Sequence, residues 1–172
     1  PAEKVVEVCE RIKAAGDYVT AVNFNSPVQT VIAGTEEGIS KASEAAKEAG
    51  ARRAMPLAVS AAFHSDLMAS AAEEFKEAVK DMNFNTPKVK FYSNVIGSEL
   101  TDFSDMPSLM AKHICSPVKF TDELNAMKND GFDCYIELGP GKVLTGLVGK
   151  TLKDVRAVNI ENTDTLNAAL AL

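Results

Sequence analysis

Apolar residues first recur at helical spacing in Val5, Cys9 and Ile12, within a polar stretch that stops at Gly16, which predicts an amphipathic surface helix over 2–15. Two β-branched runs at 18–24 and 28–33, joined through Asn25-Ser26-Pro27, read as a hairpin. Thr35 then stands directly before Glu36 and Glu37. A capping hydroxyl followed by acidic residues suits a helix start, and the helix runs through Ile39, Ala42, Ala45 and Ala46 to Gly50. A third strand is expected at 53–59. Beyond it, Leu67, Ala71, Phe75, Ala78 and Met82 mark a long helix, and 89–95 reads as a strand. Helical patches at 109–114 and 120–127 lead to a strand at 134–138 and a tight Gly139-Pro140-Gly141 turn. A helix from Val143, a strand at 155–160 and a terminal helix at 166–172 complete the pattern.

The first 56 residues therefore read helix, strand, strand, helix, strand, the ferredoxin-like βαββαβ order without its first strand. From 57 to 172 strands and helices alternate, which predicts an α/β fold with a mostly parallel sheet. No internal repeat or low-complexity segment interrupts either part. The composition of the 172 residues, 46% hydrophobic and 24% charged, sits near the globular average and excludes a disordered or fibrous chain. Eighteen basic against 24 acidic residues, net −6 and without a segregated basic cluster, argue against a nucleic-acid partner. No apolar run approaches the roughly 20 residues of a membrane span, and Pro1-Ala2-Glu3-Lys4 lacks signal-peptide features, so a soluble cytoplasmic protein is expected. Cys9, Cys115 and Cys134 are odd in number and set among apolar neighbours, the pattern of reduced thiols rather than disulfides.

Of the two histidines, His64 stands where enzymes often place one: after an expected strand and before a helix, in Val59-Ser60-Ala61-Ala62-Phe63-His64-Ser65-Asp66. There an imidazole can serve as general base, or simply cap a helix or sit at the surface. His64 with Asp66, and His113 with Cys115, are isolated pairs, too few for a metal site. Glu137-Leu138-Gly139-Pro140-Gly141-Lys142 lacks the spacing of a phosphate loop and reads as a sharp strand-to-helix turn. Asn23-Phe24-Asn25-Ser26-Pro27 is either turn chemistry or a pair of amides presented to an amide-rich ligand. No Gly-x-Ser-x-Gly elbow and no cysteine nucleophile motif occurs, so the residues offer a base with nothing to activate.

Four motifs in this order, Asn23 to Pro27 with Val31-Ile32-Ala33-Gly34, Val59 to Met68, Cys115-Ser116-Pro117-Val118-Lys119-Phe120 and Glu137 to Leu144, closely resemble the C-terminal part of the bacterial malonyl-CoA:acyl carrier protein transacylase family. The resemblance implies that residues 1–56 are a ferredoxin-like small subdomain lacking its first strand. Residues 57–172 would then be the C-terminal part of an α/β-hydrolase-like large subdomain. It further implies malonyl transfer from coenzyme A to the carrier's pantetheine thiol through a malonyl-serine. His64 would be the general base and the backbone carbonyl of His113 its orienter, leaving the side chain at 113 free to vary. Asn23 and Asn25 would line the pantetheine channel, and Phe63 would favour malonyl over bulkier acyl groups. The partners implied are malonyl-CoA, acyl carrier protein and the N-terminal portion of the same enzyme; no cofactor is required, because the coenzyme A thioester is a substrate. The family's serine elbow, oxyanion residues and carboxylate-binding arginine match nothing in these 172 residues, so the chain alone is expected to be inactive. A non-catalytic module that binds coenzyme A or carrier protein, and a polyketide synthase acyltransferase domain, are the alternatives.

Overall fold

A computed structural model describes residues 1–171. Helix α1 (Ala2–Ala14) and helix α2 (Glu36–Glu48) flank a hairpin of β1 (Val19–Ser26) and β2 (Gln29–Gly34). Val8 and Cys9 of α1, Val19 of β1 and Ala42 and Ala45 of α2 form one buried core. The small residues of α2 allow its close approach to the hairpin. Gly34 and Gly38 pack directly on the Tyr18 carbonyl, leaving no room for a Cβ. That carbonyl accepts the Thr35 N–H at 2.9 Å, while the Thr35 hydroxyl accepts the Gly38 N–H and caps α2 as expected.

The expected strand at 53–59 is absent. Met55, Leu57 and Val59 are 70%, 59% and 67% exposed, and the Val59 N–H bonds locally, to the Leu57 carbonyl. Only Val59 of this segment is β-branched, and Pro56 has no backbone N–H to give a ladder; no described strand pairs with it. His64 accordingly sits in a turn that follows an irregular segment rather than a strand.

The remainder begins with a 3-10 turn, Asp66–Met68, and α3 (Ala69–Val79), packed against α4 (Met106–Cys115). The strand expected at 89–95 shortens to β3 (Phe91–Ser93), because the chain turns back at once into β4 (Ser98–Leu100). Gly97, at φ 72°, permits that turn. Then follow α5 (Phe120–Asn129), β5 (Cys134–Leu138), α6 (Val143–Thr151), β6 (Arg156–Ile160) and α7 (Thr163–Leu170). Leu124, Val148 and Leu152 join α5 to α6 in a second core, against which Tyr135 and Ala157 pack. The last residue of the helix expected at 166–172 lies outside the described residues. The fold is α/β, but the three sheets among the described residues are two-stranded and only β5–β6 is parallel, so a mostly parallel sheet is not what these residues form.

Candidate active site

His64 closes the carboxyl end of α4. Its N–H donates to the Ile114 carbonyl at 2.9 Å, and its Nδ1 lies 2.8 Å from the His113 carbonyl oxygen. The last carbonyls of a helix have no partner within it, and here one histidine satisfies two of them. To do so it adopts φ 64°, a left-handed backbone uncommon for a residue with a side chain. Because a carbonyl can only accept, Nδ1 must carry the proton, which leaves Nε2 with its lone pair. Nε2 has no hydrogen bond among the described residues. A ring so held can take a proton at Nε2 while the partial negative charge of the helix end faces it.

His113 contributes its side chain as well as its carbonyl. Its Nε2 lies 3.2 Å from the Oγ of Ser93, a serine only 1% exposed at the end of β3. Burial first, and the charge of His64 second, hold the His113 imidazole below its ordinary range, so at neutral pH it is the uncharged ring.

Phe63, next to His64, is 50% exposed. Asn23 and Asn25 lie on β1, partly buried, and neither bonds to His64 or His113 among the described residues. The β1–β2 register slips between Ala21 and Asn23 and again between Phe24 and Ser26, so each Asn adjoins a β-bulge, a device that re-aims side chains. A ladder of backbone bonds ties this strand toward the histidines. Phe24 N–H donates to the Val118 carbonyl at 2.9 Å, Val118 N–H to the Val22 carbonyl at 2.8 Å, and Lys119 N–H to the carbonyl of Asn94, beside Ser93, at 2.9 Å.

Two polar groups escaped the sequence reading. Ser93 lies within the strand expected at 89–95, where the adjacent polar pair Ser93-Asn94 is the available signal. Glu123, 6% exposed, accepts a hydrogen bond from the Asn94 amide, and burial raises its pKa against the lowering effect of that bond. Its position three residues after Phe120 already placed it on the apolar face of α5.

The glycine turn is closed to anions. Glu137 accepts the N–H groups of Leu144 and Thr145 at 3.1 and 2.8 Å, and Glu161 accepts that of Gly141 at 2.8 Å, so carboxylates already fill the start of α6. An apolar groove of about 340 Å³ between α5, α6 and β5, with Leu124, Tyr135 and Val148 in its walls, contains neither histidine. Among the described residues no group of three or more His, Cys, Asp or Glu could hold a metal ion, and no helix is long and apolar enough to cross a membrane.

The chain is 38% identical over 169 residues to the malonyl CoA-acyl carrier protein transacylase of Bacillus subtilis, covering 98% of this chain and 53% of that protein. The solved acyl-carrier-protein S-malonyltransferase of Burkholderia pseudomallei superposes with a TM-score of 0.94 at 36% identity, over 99% of this chain and 55% of that one. A malonyl-transacylase solved in complex with a type II polyketide synthase acyl-carrier protein gives 0.92 at 34% identity, over 98% and 54%. The chain thus spans about half the length of the relatives it matches. Residues 2–167 match the family described as acyl transferase domain, and the chain belongs to that family.

Proposed function

We propose that these residues are the C-terminal portion of a malonyl-CoA:acyl carrier protein transacylase and supply its general base. The observation that carries the reading is the Nδ1 bond of His64 to the His113 carbonyl, which leaves Nε2 as acceptor, in a chain that aligns over 98% of its own length with 53% of a malonyl transacylase.

In this reaction a serine outside these residues gives its proton to His64 Nε2 as its oxygen attacks the malonyl thioester carbonyl. The C–S bond then breaks and the coenzyme A sulfur leaves with that proton. In the second half the pantetheine thiol of the carrier protein loses its proton to Nε2 and attacks the malonyl-serine ester. The C–O bond breaks and the serine is reprotonated. The ring, oriented through Nδ1, suits both halves because it gives back each proton that it takes. The thioester is itself the substrate and brings the leaving group, so no cofactor enters. Asn23 and Asn25 offer amide donors and acceptors to the two amides of pantetheine. Phe63 stands beside the base, where a ring would crowd an α-methyl on the acyl group. We further assign 1–56 to a ferredoxin-like small subdomain and 57–172 to the end of an α/β-hydrolase-like large one; the helix, hairpin, helix order at the front and the parallel β5–β6 pair with its flanking helices support that division.

The test uses the complete reading frame that encodes these residues. Incubation with malonyl-CoA should add one malonyl group to the protein by intact mass, and holo acyl carrier protein should then remove it. His64→Ala should lower kcat about 10²- to 10⁴-fold, the usual worth of a positioned acid–base group. Absence of the adduct, or full turnover in His64→Ala, overturns the reading.

A further inference from the structure

The proton transfers above use only the carbonyl of His113, yet its ring is held by a buried hydroxyl. Ser93 Oγ, 3.2 Å from His113 Nε2, belongs to a residue that is itself tightly bound. The Ser93 carbonyl accepts the N–H groups of Ile96 at 3.2 Å and Gly97 at 2.8 Å and so closes the β3–β4 turn. The neighbouring Asn94 anchors that turn to α5 through its carbonyl, which accepts the Lys119 N–H, and through its amide, which donates to Glu123. The imidazole of His113 is therefore bonded to a frame fixed from two sides.

Helix α4 has only ten residues, and helices fray from their last turn. In α4 that last turn carries both carbonyls that hold His64. A side chain tied to another element restricts the backbone angles of its own residue, and the carbonyl of His113 is one bond from the Cα that bears the ring. We propose that Ser93 and the His113 imidazole are a positioning pair, which fixes residue 113 against the β3–β4 turn, aims its carbonyl at His64 Nδ1 and so holds Nε2 in place for proton transfer. This rests on His64 being the base. The uncharged state of the His113 ring lets it hold by a hydrogen bond without adding a second positive charge beside His64. The side chain at 113 is then not free to vary, contrary to what the family resemblance implies.

Two readouts test the pair in the complete polypeptide. Ser93→Ala and His113→Ala should each lower kcat about 3- to 30-fold with KM for malonyl-CoA unchanged, since small misplacements of a reacting group cost rate rather than binding. The double variant should fall little further than the worse single one, as for residues acting as a unit. His113→Gln, which keeps a polar head, should recover part of the loss. Independently of any substrate, the proton NMR signal of the His64 Nδ1–H should be sharp in the parent and broaden through solvent exchange in Ser93→Ala. That signal decides the pair even if no malonyl transfer is found, so the two readings fail separately. Should Ser93→Ala not fold, Ser93→Cys, close in shape but a weak hydrogen-bond partner, gives the same readouts. A folded variant of Ser93 with unchanged kcat and an unchanged Nδ1–H signal overturns the proposal.

Discussion

His64 sits in a left-handed backbone and is partly buried, and both features follow from the two carbonyls that it closes on α4. A strained angle at a side-chain-bearing residue costs of the order of 1–3 kcal/mol and persists only where its surroundings hold it. Here two hydrogen bonds to residues 49 or more positions away do so. Phe63 shares that turn and is half exposed, so its ring can meet a ligand. Phe63→Ser should erode preference for malonyl-CoA over methylmalonyl-CoA by about 10- to 200-fold, the usual worth of a methyl-sized discrimination. The ratio of the two kcat/KM values in the complete polypeptide checks it, and an unchanged ratio removes Phe63 from selectivity. His64 and its phenylalanine were legible in the sequence as a pair. Ser93 was not, because a hydroxyl within a strand pattern carries no mark of what it will face.

Elements are joined by polar groups placed among apolar ones. Glu123 of α5 bonds to Asn94 from a nearly dry position, and burial raises its pKa. A carboxyl raised above its unfolded value gives stability that is complete below the unfolded value and lost as pH rises through the folded one. Glu123→Gln, neutral at every pH and still able to accept from Asn94, should raise the melting temperature at pH 7 and flatten its fall between the acid range and neutrality. Thermal melts across pH check this; an equally steep profile in the variant would assign the slope to other groups. The junction of β2 and α2 depends instead on the absence of a side chain. A Cβ on Gly38 would lie 2.4 Å from the Tyr18 carbonyl oxygen, so Gly38→Ala should cost about 1–3 kcal/mol by denaturant unfolding, the usual penalty of overpacking. These helices and the hairpin were readable from periodicity, with the Thr35 cap in place. The strand expected at 53–59 does not form: Pro56 interrupts it, only Val59 is β-branched, and no described strand offers it a partner.

Across the whole molecule, large apolar side chains remain in contact with solvent at Met55, Leu57, Val59, Ile136, Leu138 and Val143. Among the described residues β5 pairs only with β6, although parallel strands are normally covered on both faces. The same chain matches about half the length of its relatives. The 172 residues alone should therefore bind a dye for exposed apolar surface, melt over a broad range and show no malonyl transfer above the uncatalysed rate. A sharp cooperative melt without dye binding would show that the open face is covered from within. Turnover by the isolated chain would reveal a nucleophile among residues in which the sequence displays none.

Local rules were enough to read much of this protein directly from its residues: the helical periods, the hairpin, the capped start of α2, the glycine turn before α6 and the family resemblance carried by four motifs. Each depends on neighbours within a few positions, where spacing and backbone preference act. Tertiary structure alone decided that 53–59 stays unpaired, that Glu137 fills the helix start a phosphate would need, and that a serine on β3 reaches a histidine on α4. The serine and the histidine are 20 positions apart, Glu137 reaches across a turn to bond residues 7 and 8 positions on, and the energy of such contacts depends on burial and direction, which exist only once the chain has folded.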